Sequence, residues 1–114
     1  MSIRKIAVTI QSGDTYSKWI SAKDFTDNGT VALVGIATPG TVDAVALRVD
    51  FSIDGSTALT LVGTDGTAKT LTQTADDYIV LPPAEYPLIP GYFRLGVASA
   101  TAAARTYTVF GRDV

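Results

Sequence analysis

The chain has 114 residues and contains neither cysteine nor histidine. This absence excludes disulfides, thiolate catalysis and the usual zinc ligands, and it removes the commonest general base at neutral pH. Glu85 is the only glutamate, and no acidic residue stands at a spacing that marks it as the second carboxylate of a glycosidase pair. We therefore expect a protein that is not an enzyme and that uses no cofactor.

Charge and long apolar runs are also scarce. The net charge is −2, and no basic run supplies the electrostatic stripe that binds a phosphate backbone. No segment approaches the ~20 apolar residues that a membrane helix requires, and residues 1–11 lack the apolar stretch of a signal peptide. We expect neither nucleic acid nor membrane as a partner, and we expect folding in a cytoplasm.

The residues that are abundant indicate a single all-β domain over residues 1–114. Threonine, valine, alanine and glycine suit pleated sheets and tight turns, and the length is typical of one domain. Apolar alternation and short apolar runs predict about eight or nine short strands, in an antiparallel β-sandwich or jelly roll. The clearest segments are 5–11, 31–37, 44–54, 57–62, 68–73, 78–81, 92–98 and 105–110.

Segment 44–54 has the strongest period of two. Its apolar residues share one face, which we expect in the core: Val45, Leu47, Val49, Phe51 and Ile53. Asp50 lies on the opposite face, so the sequence predicts that Asp50→Ala is nearly silent. Segment 31–37 is apolar throughout, which predicts a strand that is buried on both faces.

Two Asp-Gly pairs follow this strand and predict hairpin turns. Asp54-Gly55 and Asp65-Gly66 would join segments 44–54, 57–62 and 68–73 into a meander, with Leu59 and Leu61 facing inward. The alanine-rich segment 98–104 is too short for a stable helix, and we expect a loop or one helical turn.

Aspartates are the most plausible metal ligands in the chain. Calcium needs several oxygens that converge on one point, and the candidates are Asp50, Asp54, Asp65, Asp76 and Asp77. Asp54 and Asp65 each precede a glycine, where aspartate is favoured for its backbone conformation. We interpret them as turn residues and predict no metal site.

Aromatic side chains are the alternative binding groups, because they could form a platform for a sugar or peptide: Tyr16, Trp19, Tyr78, Tyr86, Tyr92 and Tyr107. Segment 82–90 is rich in proline, which excludes a central strand. It either crosses the end of the sandwich or protrudes as a stiff apolar contact element. In the second case the contact residues would be Tyr86, Pro87, Leu88 and Ile89.

Three stretches carry a family resemblance: LVGIATPGTVDAVALRVDFSIDG, LPPAEYPLIPGYFRLGVAS and RTYTVFGRD. They contain an apolar strand that ends in proline, a strand that closes on S-x-D-G, a Leu-Pro loop before YFRLG, and a last strand. In this order the chain resembles small virion structural proteins of tailed bacteriophages, some of which decorate or cement the capsid exterior.

The resemblance implies a structural role in the virion, with the major capsid protein as partner and a place on the capsid exterior. Such a protein would bind at junctions between capsid subunits, and we expect copies to self-associate on the shell through an edge strand. Two alternatives stay open: a carbohydrate- or receptor-binding module of a phage tail or fibre, and a head-completion or tail connector component.

Overall fold

Two antiparallel sheets of four strands each make up the computed structural model, which describes residues 3–26, 29–62, 64–82 and 88–113. The first sheet has the order β1-β8-β3-β6 and the second has the order β2-β7-β4-β5. The strands are β1 (Ile3–Ile10), β2 (Ile20–Ser21), β3 (Val31–Ala37), β4 (Leu47–Ser52), β5 (Leu59–Thr60), β6 (Tyr78–Val80), β7 (Tyr92–Val97) and β8 (Arg105–Asp113).

The strand pairs are nested in the sequence. β1 pairs with β8, β2 with β7, β3 with β6, and β4 with β5, as in one long hairpin that is folded over on itself. The additional pairs β3–β8 and β4–β7 join these strand pairs into the two four-stranded sheets. This is the topology of an eight-stranded jelly roll, and it confirms the predicted all-β sandwich class.

The core fills the space between the sheets. It follows the alternation of the long strands, because successive side chains of a strand point to opposite faces. Alternate residues of β1, β4, β7 and β8 point into it, and the largest fully buried side chains include Tyr107, Phe93, Ile10, Leu47 and Leu95. Tyr107 keeps a polar partner inside the core, because its hydroxyl donates to Gln73 Oε1 at 2.6 Å.

β3 lies in the middle of the first sheet, and its buried residues include both inward Leu33 and outward Ala32. The prediction of a strand buried on both faces is therefore confirmed. A register shift between Leu33 and Gly35 marks a bulge. Gly35 then lies under the ring of Tyr78, where an added Cβ would overlap that ring.

The alternating segment is shorter than predicted. Leu47, Val49 and Phe51 are buried as expected, whereas Val45 is only partly buried and Ile53 is 72% exposed. The strand ends at Ser52 because the chain turns there, and Asp54 accepts hydrogen bonds within that turn. The placement of Ile53 in the core was wrong for this reason.

The predicted meander is also wrong in its third strand. Segment 68–73 forms only isolated bridges, Ala68 with Val62 and Leu71 with Leu47, so it returns to the edge of β4. Leu47 and Leu71 exchange backbone hydrogen bonds of 2.8 and 2.7 Å. Leu59 lies at the edge of the sheet and is 44% exposed, while Leu61 packs partly against the core.

Helical structure in the described part of the chain is one short 3-10 turn, Ala22–Asp24, which the sequence analysis missed. Ser21 and Asp24 form a capping box around it. The Asp24 carboxylate accepts from the Ser21 amide, and the Ser21 hydroxyl accepts from the Lys23 amide. Segment 98–104 is a loop. None of the helical residues described is part of a helix long and apolar enough to cross a membrane.

Candidate interaction surfaces

The outer face of the second sheet carries an arginine cluster, which we define as Tyr16, Trp19, Arg48, Asp50 and Arg94. Arg48, Asp50 and Arg94 point outward because they alternate with buried residues of β4 and β7, and Asp50 lies directly opposite Arg94. Tyr16 and Trp19 come from the segment that runs along the other side of β7. Neighbouring strands thus assemble the five side chains.

Asp50 is the buried centre of this cluster. Its side chain is only 3% exposed, and its oxygens lie 3.3 Å from Arg94 Nε and 3.8 Å from Arg48 Nε. Its burial and its two ion pairs argue against the expectation that Asp50→Ala is nearly silent. The alternation gave the correct face, but flanking strands supply long side chains that cover this face.

Arg94 connects the two aromatic rings of the cluster. Its guanidinium carbon lies 3.7 Å from the ring centroid of Tyr16 and 4.3 Å from that of Trp19, which is cation–π geometry on both sides. Arg48 donates a hydrogen bond to the Tyr16 hydroxyl. Arg94 therefore occupies one face of each ring, and a sugar could stack only on the other face.

Glycine at position 96 makes room for this arrangement. Gly96 pairs with Arg48 across the sheet, and Tyr16 bridges to it from the opposite side. A Cβ at this position would lie 2.9 Å from Tyr16 ring carbons and 3.2 Å from Arg48 Nε. A side chain at this position would therefore displace the Tyr16 ring.

Asp54 and Asp65 have the turn roles that the sequence predicted. Asp54 Oδ1 accepts from the amides of Ser56 and Thr57, both at 2.9 Å, and Asp65 Oδ1 accepts from the amide of Thr67 at 2.9 Å. The glycines that follow have φ of +82° and +80°, a conformation that glycine adopts without strain. Hydrogen bonds from the Thr57 and Ser56 amides hold the pKa of Asp54 well below its usual range.

Asp76 and Asp77 lie where segment 74–77 is hydrogen-bonded to Thr38 and Pro39. The Thr38 hydroxyl donates to the Thr74 carbonyl at 2.6 Å, and the Asp77 amide donates to that hydroxyl at 2.8 Å. Asp76 has a φ of +58° and donates its amide to the Pro39 carbonyl. Among residues 3–26, 29–62, 64–82 and 88–113, no three acidic residues converge as a metal site would require.

The outer face of the first sheet has an apolar patch, which we define as Tyr78, Val80, Leu88 and Phe110. Tyr78 and Val80 are on the edge strand β6, and the Tyr78 ring meets Phe110 edge to face at a centroid distance of 5.5 Å. Val80 is 68% exposed, Tyr78 51% and Leu88 47%. These three apolar side chains are therefore available to a partner.

The four contact residues predicted in segment 82–90 have different positions. Leu88 is exposed and bridges to Ala32 on β3, which places it in the apolar patch. Ile89 is only 5% exposed and belongs to the core, so its proposed contact role is corrected. Tyr86 and Pro87 lie outside the described residues.

Of the remaining aromatic candidates, Tyr107 is fully buried between the sheets and cannot contact a partner. Burial raises the pKa of its phenol. Tyr92 is partly buried, and its ring lies against Gly55 in the turn after β4. Neither ring joins Tyr16 and Trp19, so the aromatic residues are divided between several places in the fold.

A third surface is an open cleft of about 590 Å³ beside the edge strand β1. Ala7, Val8 and Thr9 form one wall, and the segment that leads into β2 forms the other, with Asp14 and Lys18 as its charged residues. No local pattern in the sequence predicts this cleft, because it arises where the edges of the two sheets separate.

Comparison of the chain with protein-family models, with curated proteins and with solved structures found no match.

Proposed function

We propose that this chain is a capsid decoration, or cement, protein of a tailed bacteriophage, a structural binding module without catalytic activity. It would bind the major capsid protein on the outside of the shell, at junctions between subunits. The observation that carries the proposal within the fold is the exposed apolar patch on the outer face of the first sheet. The family resemblance of the three sequence stretches supplies the virion context.

The apolar patch presents three exposed side chains to a partner. Exposed Tyr78 and Val80 lie on one face of β6, and Leu88 lies further along the same edge of β3. Because the sheet already orders their backbone, a partner could bury them with little loss of backbone entropy. Apolar groups at the centre of an interface supply much of its binding energy. Because a shell presents the same junction many times, a modest contact at each one would be repeated across the whole particle.

The jelly-roll topology is compatible with this role, since viral capsid domains are among the proteins that have it. The same architecture also occurs in lectins and cupins, so the fold alone does not select a function. The carbohydrate-binding alternative is less well supported, because Arg94 already occupies a face of both Tyr16 and Trp19.

The test is co-sedimentation with heads that lack the protein. The variant that combines Val80→Lys with Leu88→Lys should remain folded, yet bind heads about tenfold or more weakly, because both substitutions place a charge in the contact. Ile53→Lys is the matched control, since Ile53 is equally apolar and 72% exposed but lies on the other sheet's turn. Wild-type binding by the folded double variant would remove the apolar patch from the proposal.

A further inference from the structure

We infer that β1 is an association edge, along which a second copy of this chain adds its own β1 in antiparallel orientation. The two first sheets would then form one continuous sheet of eight strands. This association is independent of the capsid, so it holds for the protein in solution as well.

The four edge strands differ in length, and β1 is the longest. The two sheets end in β1, β6, β2 and β5. β1 has eight residues, whereas β6 has three and β2 and β5 have two each. Short edge strands discourage pairing between molecules, but a long regular one presents a row of backbone donors and acceptors. β1 contains no proline, and its pairing with β8 runs without a register shift.

The cleft beside β1 provides space for the side chains of an added strand. In an antiparallel partner, every second side chain points to the same side of the sheet as Val8, which lines the cleft. Ile6 has this orientation and is only partly buried in its own domain. Ile6 of the second copy would therefore enter the cleft, whose wall includes the apolar Ile20.

Charge favours a second copy in antiparallel orientation. Arg4 and Lys5 begin the strand, and Asp14 lines the cleft beyond its other end. Arg4 also contacts Asp113 of its own chain at 3.5 Å, but its side chain is 53% exposed and can reach a second partner. Antiparallel pairing brings the basic end of each copy towards Asp14 of the other, whereas parallel pairing would place Arg4 and Lys5 against themselves. Lys18 is the other charged residue of the cleft wall. Like charges directly opposite one another destabilise a strand pair.

Cysteine cross-linking tests this inference cleanly, because the chain has no cysteine. A twofold axis through an antiparallel pair places one residue opposite its own copy, with the Cα atoms about 4.5–5.5 Å apart, which a disulfide can span. Single cysteines at each position from Lys5 to Thr9 should yield one position that forms covalent dimers under mild oxidation. Val80→Cys, on the short edge strand β6, is the control and should stay monomeric.

Sedimentation over about a hundredfold range of concentration should show the wild type passing from monomer to dimer. Arg4→Glu and Asp14→Arg should each weaken the dimer by about two- to thirtyfold, since the opposite-charge pair occurs twice in a symmetric interface. The double variant should recover most of the affinity. A wild type that stays monomeric, single variants of unchanged affinity, or faster cross-linking at Val80→Cys than anywhere on β1 would each overturn the assignment.

Discussion

The outer faces of the two sheets differ in how their side chains are used. On the second sheet, Asp50, Arg94 and Tyr16 contact one another, so that an acidic residue is almost completely covered. On the first sheet, Tyr78 and Val80 remain largely exposed. The comparison teaches that polar and aromatic residues do not by themselves mark a binding surface. Here the polar face is occupied by its own interactions, and the apolar face is open.

The strongest test of this contrast is Asp50→Ala. The substitution leaves Arg48 and Arg94 together without their shared carboxylate, and removal of one partner from a buried ion pair is strongly destabilising. Because Arg48 is about one third exposed, we expect a loss of about 2–4 kcal/mol in the free energy of unfolding, somewhat less than for a fully buried pair. Denaturant unfolding measures it.

The control for this variant is Thr64→Ala, since Thr64 is an exposed turn residue and surface changes usually stay within about 0.5 kcal/mol. Phe51→Ala sets the scale, because loss of a buried phenylalanine costs about 3–5 kcal/mol. If Asp50→Ala unfolds at the same denaturant concentration as Thr64→Ala, the cluster contributes nothing to stability.

A pair of glycine substitutions compares the two faces directly. Gly96→Ala pushes against Tyr16, which is held by Arg48 and Arg94, and overpacking of this kind costs about 1–3 kcal/mol. Gly35→Ala pushes against Tyr78, which is half exposed and free to swing away. Its loss should be near the value of the Tyr78–Phe110 ring contact, about 0.5–1.5 kcal/mol. Equal losses in thermal unfolding would mean that both rings are held alike.

The smallest effect concerns acid stability and lies in the two turns that contain Asp54 and Asp65. The pKa of Asp54 is lowered in the fold, as is that of Asp65 through the Thr67 amide, so each favours the folded state above its unfolded pKa. That contribution is lost as the pH falls through the folded pKa. Stability should therefore be flat near neutrality and decline below about pH 4.

Replacement of Asp54 by asparagine isolates its share of this decline. An asparagine side chain does not titrate, so Asp54→Asn should lower the melting temperature at neutral pH and make the fall below pH ~4 shallower. Asp76→Asn serves as the comparison, since an aspartate at a left-handed position is replaced by another residue that tolerates it. Parallel pH profiles for wild type and Asp54→Asn would contradict the assigned role.

Much of the fold could be predicted because local pattern and tertiary structure agree in the long strands. The apolar run 31–37 is β3, and the alternation around Val49 and Phe51 gives the correct inward face. The short strands were harder. β2 has two residues and depends on pairing with β7, and segment 68–73 has strand-like composition but only isolated bridges. Contacts between distant parts of the chain decide such segments.

The candidate surfaces could be predicted only in part. Leu88 was identified from its place after a proline-rich stretch, but its neighbour Ile89 points into the core because successive residues of an extended chain alternate. The arginine cluster was missed, since Tyr16, Asp50 and Arg94 are far apart in the sequence. The sequence did contain one indication of the cluster. The outward positions of the predicted strands hold arginine and aspartate, in a region that is otherwise rich in apolar residues.

The nested strand order has a consequence for synthesis of the chain. β1 is made first but its hydrogen-bonding neighbour is β8, and the register joins Ile3 with Arg112. The first sheet therefore cannot close until residues 105–113 have left the ribosome, and at about 5–20 residues per second β1 waits for several seconds. Pairings between distant residues also make folding slow. During this interval the long β1 is unpaired on both sides. Nascent chains on neighbouring ribosomes of one message are therefore the setting in which the proposed pairing with another copy would be least hindered.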